Sequence, residues 1–441
     1  MAPPSRTGSR TGAIRALAAR DRPAAEGALA TLMADLFGLA PTRLAINADQ
    51  YSLNSLNGTF EADGRGYFFK FHQEDGEEEM AGEYYRAEIL AEAGLPVDRP
   101  LHMSRLPGEQ VLIYARRSDP RFSDVLFALD RAPDPAMADR CVAAETALNA
   151  HLLKVAKATL HPVTPAQSWA EPIHRLFHER LIDRPGGRYP GGRLARFYLG
   201  KRFDLPGVGT VGWDDIAHLR PVVNGVEHRR SLAACFDAAH RRFRPDRLAD
   251  AGGIVAHGDA HNANVWFEQH AEGDRLTLFD PAFAGHAVPS LLAEVKATFH
   301  NVFAHPFWLY DPDIATARHG AQVAIDGPRL RIDTDWSPGA LRLALLRAKR
   351  DAYWAPWIAH LAARGMLPDD WDEVIRLGLF LSPTLVMNLR ADRTADPGAG
   401  RHTPVSSAIG LSVALALGSP PVAGEDEMTT FLDAIAPGPR V

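Results

Sequence analysis

Residues 254–280, IVAHGDAHNANVWFEQHAEGDRLTLFD, constrain this chain more than any other stretch. A short apolar run, Ile254 to Ala256, enters a turn crowded with His257, Asp259, His261, Asn262 and Asn264, and two further runs, VWFEQ and RLTLFD, flank the turn HAEGD. Two strand-like runs joined by a short Gly-containing turn read as a β-hairpin. Hairpin strands lie ~5 Å apart, so the pairing brings Asn264 and Asp280 together although sixteen positions separate them in the chain. Asp259 lies in the entering loop and can face the same point. The fold must therefore end a strand, pass through a polar loop and close a hairpin so that three oxygen-bearing side chains converge.

Three chemistries compete for such a turn. One is a metal-dependent hydrolase site with His257, Asp259 and His261 as ligands; another is a phosphoryl-transfer loop; the last is a polar turn whose Asp and Asn side chains cap their own backbone. The hydrolase reading meets a gap. A helical zinc motif needs a glutamate after its first histidine, where Gly258 stands, and no second histidine-rich segment supplies further ligands at recognisable spacing. Phosphoryl transfer fits better. Magnesium prefers hard oxygens and keeps waters and substrate phosphates, so a carboxylate from Asp280 and a carboxamide oxygen from Asn264 suffice. Asp259, left outside the metal's shell, can orient an acceptor hydroxyl and take its proton.

The rest of the chain sets the frame. At 441 residues it exceeds one ordinary core, and 46% hydrophobic against 23% charged residues make it globular. A net charge of -6 gives no electrostatic reason to seek nucleic acid or an anionic membrane surface. Two cysteines, Cys141 and Cys235, build neither a disulfide framework nor a thiolate zinc cluster, which suits a reducing, cytoplasmic compartment. Residues 1–30 are expected as a disordered tail, since Pro and Gly interrupt any amphipathic pattern. The apolar stretch SSAIGLSVALALGSP from Ser406 is too short to span a bilayer and reads as a buried helix. Residues 50–115 give short alternating runs with a tight Asp63-Gly64 turn and a helix ending at Gly94, in the order strand, strand, strand, helix, strand. From about 135 the pattern is mostly helical. A Gly/Pro-rich insertion at 182–230 interrupts it, and the C-terminal part reads as a helical subdomain.

HGDAHNAN followed by LFD resembles the catalytic and metal-binding loops of the aminoglycoside phosphotransferase and choline kinase-like superfamily, relatives of the protein kinases. The resemblance implies an α+β, two-lobed protein-kinase-like fold. A small β-sheet lobe with one main helix would occupy 31–117. A larger, mostly helical lobe at 118–441 would carry the catalytic loop (254–285) and the 182–230 insertion, with nucleotide bound between the lobes. It implies an ATP- or GTP-dependent, Mg2+-requiring phosphotransferase acting on a hydroxyl of a small molecule such as an aminoglycoside, a sugar or an amino alcohol. His257, Gly258 and Asp259 match the start of the catalytic loop, Asn264 its metal-binding asparagine and Asp280 its second metal ligand. Lys70, in YFFKFH, matches the strand lysine that holds the phosphates, with Glu83 as the helix glutamate that pairs with it and Glu88 as the second candidate. Ser55, Asn57 and Gly58 sit where a phosphate-covering turn would lie. Tyr114 and Arg116 sit where backbone would receive adenine.

Because base, metal ligands and lysine are all present, a nucleotide-binding pseudokinase module is disfavoured. His261 is a candidate for substrate contact. In the C-terminal region Asp369, Asp370 and Trp371, with Trp354 and Trp357, are either a helix start with core aromatics or the lining of a pocket for a cationic acceptor. One departure stands out: after FDPAFAG the family shows a further aspartate, and the nearest acid here is Glu294.

Overall fold

A computed structural model describes residues 9–47, 55–72, 86–104, 106, 108–392 and 401–438. The chain divides into two compact units, Met1–Glu92 with Pro96–Asp119, and Ala93–Leu95 with Pro120–Val441.

The first unit is built on an antiparallel sheet of β1 (Thr42–Ile46), β2 (Ser55–Ala62), β3 (Arg65–His72), β4 (His102–Met103) and β5 (Leu112–Ala115), in the order β1-β2-β3-β5-β4. The β2–β3 hairpin turns at Asp63 and Gly64, both at positive φ (51° and 72°), as a two-residue turn between right-twisted strands requires. In β3 the residues Tyr67, Phe69 and Phe71 are buried, while Phe68 and Lys70 stand half-buried on the other face. The sequence YFFKFH is therefore an alternating strand and not a wholly buried run.

Two helices, α1 (Arg10–Ala18) and α2 (Arg22–Phe37), occupy most of the segment expected to be a disordered tail. Ser9 and Asp21 cap them by accepting from Gly12 N–H and Ala24 N–H, and Gly38 at φ 68° ends α2. Composition misled because the helices gain their stability elsewhere. Ile14, Leu29, Leu32 and Met33 join a core with Phe60, Phe69 and Val111 of the sheet unit. Residues 86–92 are also helical, and the remainder of the helix expected to end at Gly94 lies outside the described residues.

The second unit is mainly helical. Its 25-residue helix Pro135–Thr159 starts at an Asp134 cap. Helix Pro404–Gly418 buries the SSAIGLSVALALG stretch as expected, and no helix of the described residues is long and apolar enough to cross a membrane. The Gly/Pro-rich insertion is ordered into the hairpin β6 (Arg202–Leu205) and β7 (Gly209–Gly212) and the pair β8 (Arg220–Val223) and β9 (Val226–Glu227). After it come β10 (Gly253–Ala256), β11 (Val265–Glu268), β12 (Arg275–Leu278) and β13 (Gly285–Pro289). The expected helical C-terminal part is interrupted by the hairpin β14 (Ala321–Asp326) and β15 (Arg329–Thr334), with β15 parallel to β8. Alternation was the missed signal: Val323, Leu330 and Ile332 are buried among polar neighbours, around a turn with Gly327 at φ 53°.

Candidate active site

β10 pairs β13 antiparallel, Gly253 opposite Pro289 and Ala256 opposite Gly285, which clamps both ends of the segment between them. Inside that clamp β11 and β12 pair from Val265–Leu278 to Glu268–Arg275. Phe279 N–H then donates to Asn264 O at 2.9 Å, extending the ladder by one pair. Asn264 and Asp280 therefore flank the end of one ladder, as the hairpin argument requires. Rings pin it: Trp266 stacks on Phe279 at 4.3 Å and Phe267 on Phe122 at 5.9 Å.

The loop between is held by its own polar groups. His257 Nε2–H donates to Phe279 O at 2.9 Å, and its Nδ1 accepts from Asp259 N–H at 3.3 Å. Since a carbonyl only accepts, those two bonds select one neutral tautomer, and burial lowers the ring's pKa, which keeps it neutral. His257 is a strut. Gly258 turns at φ 77°, where a Cβ would stand 2.7 Å from Phe283 O. Asn264 Nδ2–H donates to Asp259 O at 3.0 Å, which fixes the amide's orientation and turns Oδ1 away from that bond. Asp280 has φ 55°, a left-handed conformation that glycine adopts freely and that aspartate and asparagine tolerate better than other residues.

Asp259 has a side chain 14% exposed whose Oδ2 lies 3.8 Å from His261 Nε2 and whose Oδ1 lies 4.0 Å from Lys296 Nζ. Its Oδ1 is buried with no hydrogen-bond partner among the described residues. A buried carboxylate oxygen left unbonded is costly, so its retention marks a place for a hydroxyl or another donor. His261 accepts from Ala263 N–H at Nδ1 (3.2 Å) and stacks 4.7 Å from the His300 ring. Asn262 N–H donates to Asn301 Oδ1 at 2.8 Å. Both ring nitrogens of His257 are engaged in the loop, so the hydrolase alternative loses that ligand; no group of three or more His, Cys, Asp or Glu able to hold a metal occurs among the described residues.

Lys296 was not anticipated. It is 3% exposed, Nζ 3.0 Å from His300 Nε2, one turn before a π-helical turn over Phe299–Phe303 of the kind that clusters at functional sites. A lysine in an apolar run is costly to bury without a partner, and Lys296 in LLAEVKATF is buried whereas Lys70 in YFFKFH is only half-buried. Two arginines at the edge of the insertion, Arg180 and Arg193, also act on this charge group. Arg180 donates to Leu385 O at 3.2 Å, and Arg193 to Leu385 O and Val386 O at 3.0 and 3.1 Å. The departure at Glu294 has a structural account. The carboxylate is buried in a group with Lys349 and Glu145, with Lys349 Nζ 2.9 Å from Glu145 Oε1 and 3.5 Å from Glu294 Oε2.

Other expected site residues fall as follows. Ser55, Asn57 and Gly58 lie inside strand β2 and not in a turn. A Cβ at Gly58 would meet Ala45 O and the Phe69 ring, so packing accounts for that glycine. Asn57 is buried, opposite Lys70 in the ladder, and accepts from Asn47 Nδ2–H at 2.8 Å. Tyr114 pairs with Phe68, and Arg116 N–H donates to Gly66 O at 3.0 Å, so that donor is already used within the sheet. Glu83 lies outside the described residues; Glu88 is half-buried on the 86–92 helical segment. Asp370 precedes helix Trp371–Val386 and takes Arg242 Nε–H at 2.7 Å, while Trp354 and Trp357 are wholly buried. Helix start and core aromatics are thus what this region presents.

No family model and no curated protein matches the chain in sequence. Among solved structures, a thermostable mutant of aminoglycoside phosphotransferase APH(4)-Ia is similar at TM-score 0.43 and 12% identity, over 88% of this chain and 98% of that one. A macrolide 2′-phosphotransferase of Brachybacterium faecium is similar at 0.35 and 13%, over 89% and 98%. An ethanolamine kinase of Plasmodium vivax is similar at 0.31 and 11%, over 86% and 94%. The fold class is α+β. An antiparallel sheet unit with its lysine on β3 precedes a helical unit that carries the polar loop and hairpin.

Proposed function

We propose that this chain is a phosphotransferase that moves the γ-phosphoryl group of ATP or GTP onto a hydroxyl of a small molecule. The observation that carries the reading is the anchored Asn264. Its amide nitrogen is tied to the backbone of Asp259, and its ladder position sets it beside Asp280. Asn264 Oδ1 and the Asp280 carboxylate form a hard, all-oxygen pair of the kind magnesium takes when nucleotide phosphates and water complete its shell. Bound there, the metal would neutralise charge on the transferring group. Asp259 keeps a buried oxygen for the acceptor, orients its hydroxyl and removes its proton. His257 and Gly258 hold the loop in the shape that presents it. His261, beside Asp259, is the residue of this loop best placed to touch the acceptor. Lys70, Glu83 or Glu88, and the Tyr114–Arg116 backbone are assigned to the nucleotide by the resemblance alone.

The test is nucleotide consumption screened against sugars, aminoglycosides, amino alcohols and nucleosides, with and without magnesium. Acceptor-stimulated, magnesium-dependent diphosphate release is expected. Asp259→Ala should lower turnover by at least ~100-fold with nucleotide affinity kept. Asp280→Ala should lose magnesium-dependent nucleotide affinity. Turnover of Asp259→Ala within a few-fold of the parent would remove Asp259 from the mechanism, and unaltered affinity in Asp280→Ala would overturn the ligand assignment.

A further inference from the structure

Two buried lysines in this unit have opposite surroundings. Lys349 Nζ has carboxylates at 2.9 and 3.5 Å, and although burial opposes its charge, Glu145 and Glu294 outweigh it and raise its pKa. Lys296 is as deeply buried, yet its nearest carboxylate oxygen, Asp259 Oδ1, is 4.0 Å away, beyond hydrogen-bond reach. The charges that act on Lys296 are Asp259 from the polar loop, Arg180 from the 3-10 turn His178–Arg180 and Arg193 from helix Gly192–Phe197, while His300 lies one turn along its own helix within hydrogen-bond distance. Two of these neighbours are cations. A third, His300, is held neutral because burial pushes its imidazole well below the usual range. Burial and the arginines bring the Lys296 ammonium down to about 7, against the opposing pull of Asp259.

With Lys296 as donor, the hydrogen bonds around it have one polarity. Neither an amine nor an ammonium of Lys296 needs more from His300 than an acceptor at Nε2, 3.0 Å away. Nδ1–H then donates to the Tyr310 oxygen, 2.7 Å away. The chain Tyr310–His300–Lys296 thus holds Nζ in place beside Asp259.

We propose that Lys296, as a neutral amine aimed by His300 and Tyr310, receives the proton that Asp259 takes from the acceptor hydroxyl. The inference rests on the phosphotransferase reading above. In the step, the acceptor O–H bond breaks and its electron pair forms the bond to the γ-phosphorus. The bond from that phosphorus to the bridging oxygen breaks, with its pair leaving on the nucleoside diphosphate. The proton crosses the 4.0 Å from Asp259 Oδ1 to the Lys296 Nζ lone pair through one bridging water, giving an ammonium, and leaves to solvent before the next turnover. Asp259 is thereby returned to its basic form while still inside the site. Lys296 acts through Asp259 and does not touch the substrate.

Two measurements test this. In uniformly nitrogen-15-lysine-labelled protein, the Lys296 Nζ resonance, identified by its absence from both Lys296→Gln and Lys296→Arg, should titrate near pH 7; titration above pH 9 in the intact protein would overturn the proposal. In magnesium-ATP hydrolysis, with water as acceptor, the rate should rise through pH ~7. Lys296→Arg, permanently charged, should lose that limb and run roughly tenfold slower at pH 8. Tyr310→Phe, altered only at the outer end of the chain, should shift the limb. A Lys296→Arg variant with the parent's rate and pH profile would mean that only a cation is needed, and the proposal would fall. Asp259→Ala separates the two ideas: unchanged hydrolysis there sinks the phosphotransferase reading, whereas lost hydrolysis with parent-like Lys296→Arg sinks only the proton transfer.

Discussion

Replacing Lys349 by methionine removes the one cation that the described contacts place between two buried carboxylates. Lys349 is 2% exposed and Glu145 1%, with Glu294 at 4%. Methionine fills most of the stem's volume, so the change is electrostatic before it is steric. Breaking a buried pair by deleting one partner costs ~3–5 kcal/mol, because the surviving charge is left without solvent or counter-charge. For a unit of this size that corresponds to roughly 4–7 °C in Tm. The loss should depend on pH. Glu294 is already pushed up to about 7, chiefly by burial and against the pull of Lys349. Without that pull its folded pKa rises further above the unfolded value, so the variant binds more protons folded than unfolded and loses stability as pH rises. The penalty should be near full at pH 8 and reduced at pH 5.5. It should also reach the active loop: Glu145 accepts from Asn301 Nδ2–H at 3.1 Å, and Asn301 Oδ1 holds Asn262 N–H at 2.8 Å. Urea unfolding at both pH values, with magnesium-nucleotide turnover alongside, checks this. A loss below ~1 kcal/mol at pH 8, or a larger loss at pH 5.5 than at pH 8, would refute the reasoning, and Glu294→Gln added to Lys349→Met should recover part of the stability.

Gly258→Ala combines a positive φ of 77° with a Cβ placed 2.7 Å from Phe283 O, and is expected to displace Asp259 and cut turnover more than tenfold for a destabilisation of ~1–3 kcal/mol, read by kinetics and thermal melting. At Asp280, φ 55° separates strain from chemistry: Asp280→Gly should be more stable than Asp280→Ala by ~1 kcal/mol while both lose magnesium-dependent nucleotide binding equally, and equal stability would deny the strain. Burial lowers His174, His178 and His402 each to about 4, so the unfolded chain takes up their protons near pH 6.5 and the native state only near 4. Their stabilisation is therefore present above pH 6.5 and lost as pH falls toward 4, at up to ~3 kcal/mol each. Glu294, Asp250 and Asp311, whose burial raises their carboxyl pKa, oppose them in part, and a Tm unchanged between pH 7 and 5 would contradict the assignment.

The sequence alone determined what depends on neighbours in the chain. Alternation in 55–72, the Asp63-Gly64 turn and the hairpin of 265–278 are local patterns, and the paired hairpin sets Asn264 opposite Phe279, next to Asp280 in the chain. Helix Pro404–Gly418 was legible for the same reason, as an apolar run too short to leave the core. Tertiary structure decided everything whose partner is remote. The first helices looked like a tail until a sheet existed for Ile14 and Leu29 to cover. Gly58 resembled a phosphate turn until the Phe69 ring and Ala45 carbonyl occupied its Cβ position. Trp354 and Trp357 could have lined a pocket until the core closed over them. Lys296 and Lys349 are both lysines in helical apolar surroundings, and no local pattern distinguishes them. One is met by two carboxylates and the other by two arginines, a histidine and Asp259, most of them brought from distant segments. Burial makes such pairings decisive, because in a low-dielectric interior the charge state of a group is set by what the fold places against it and not by its neighbours in the chain.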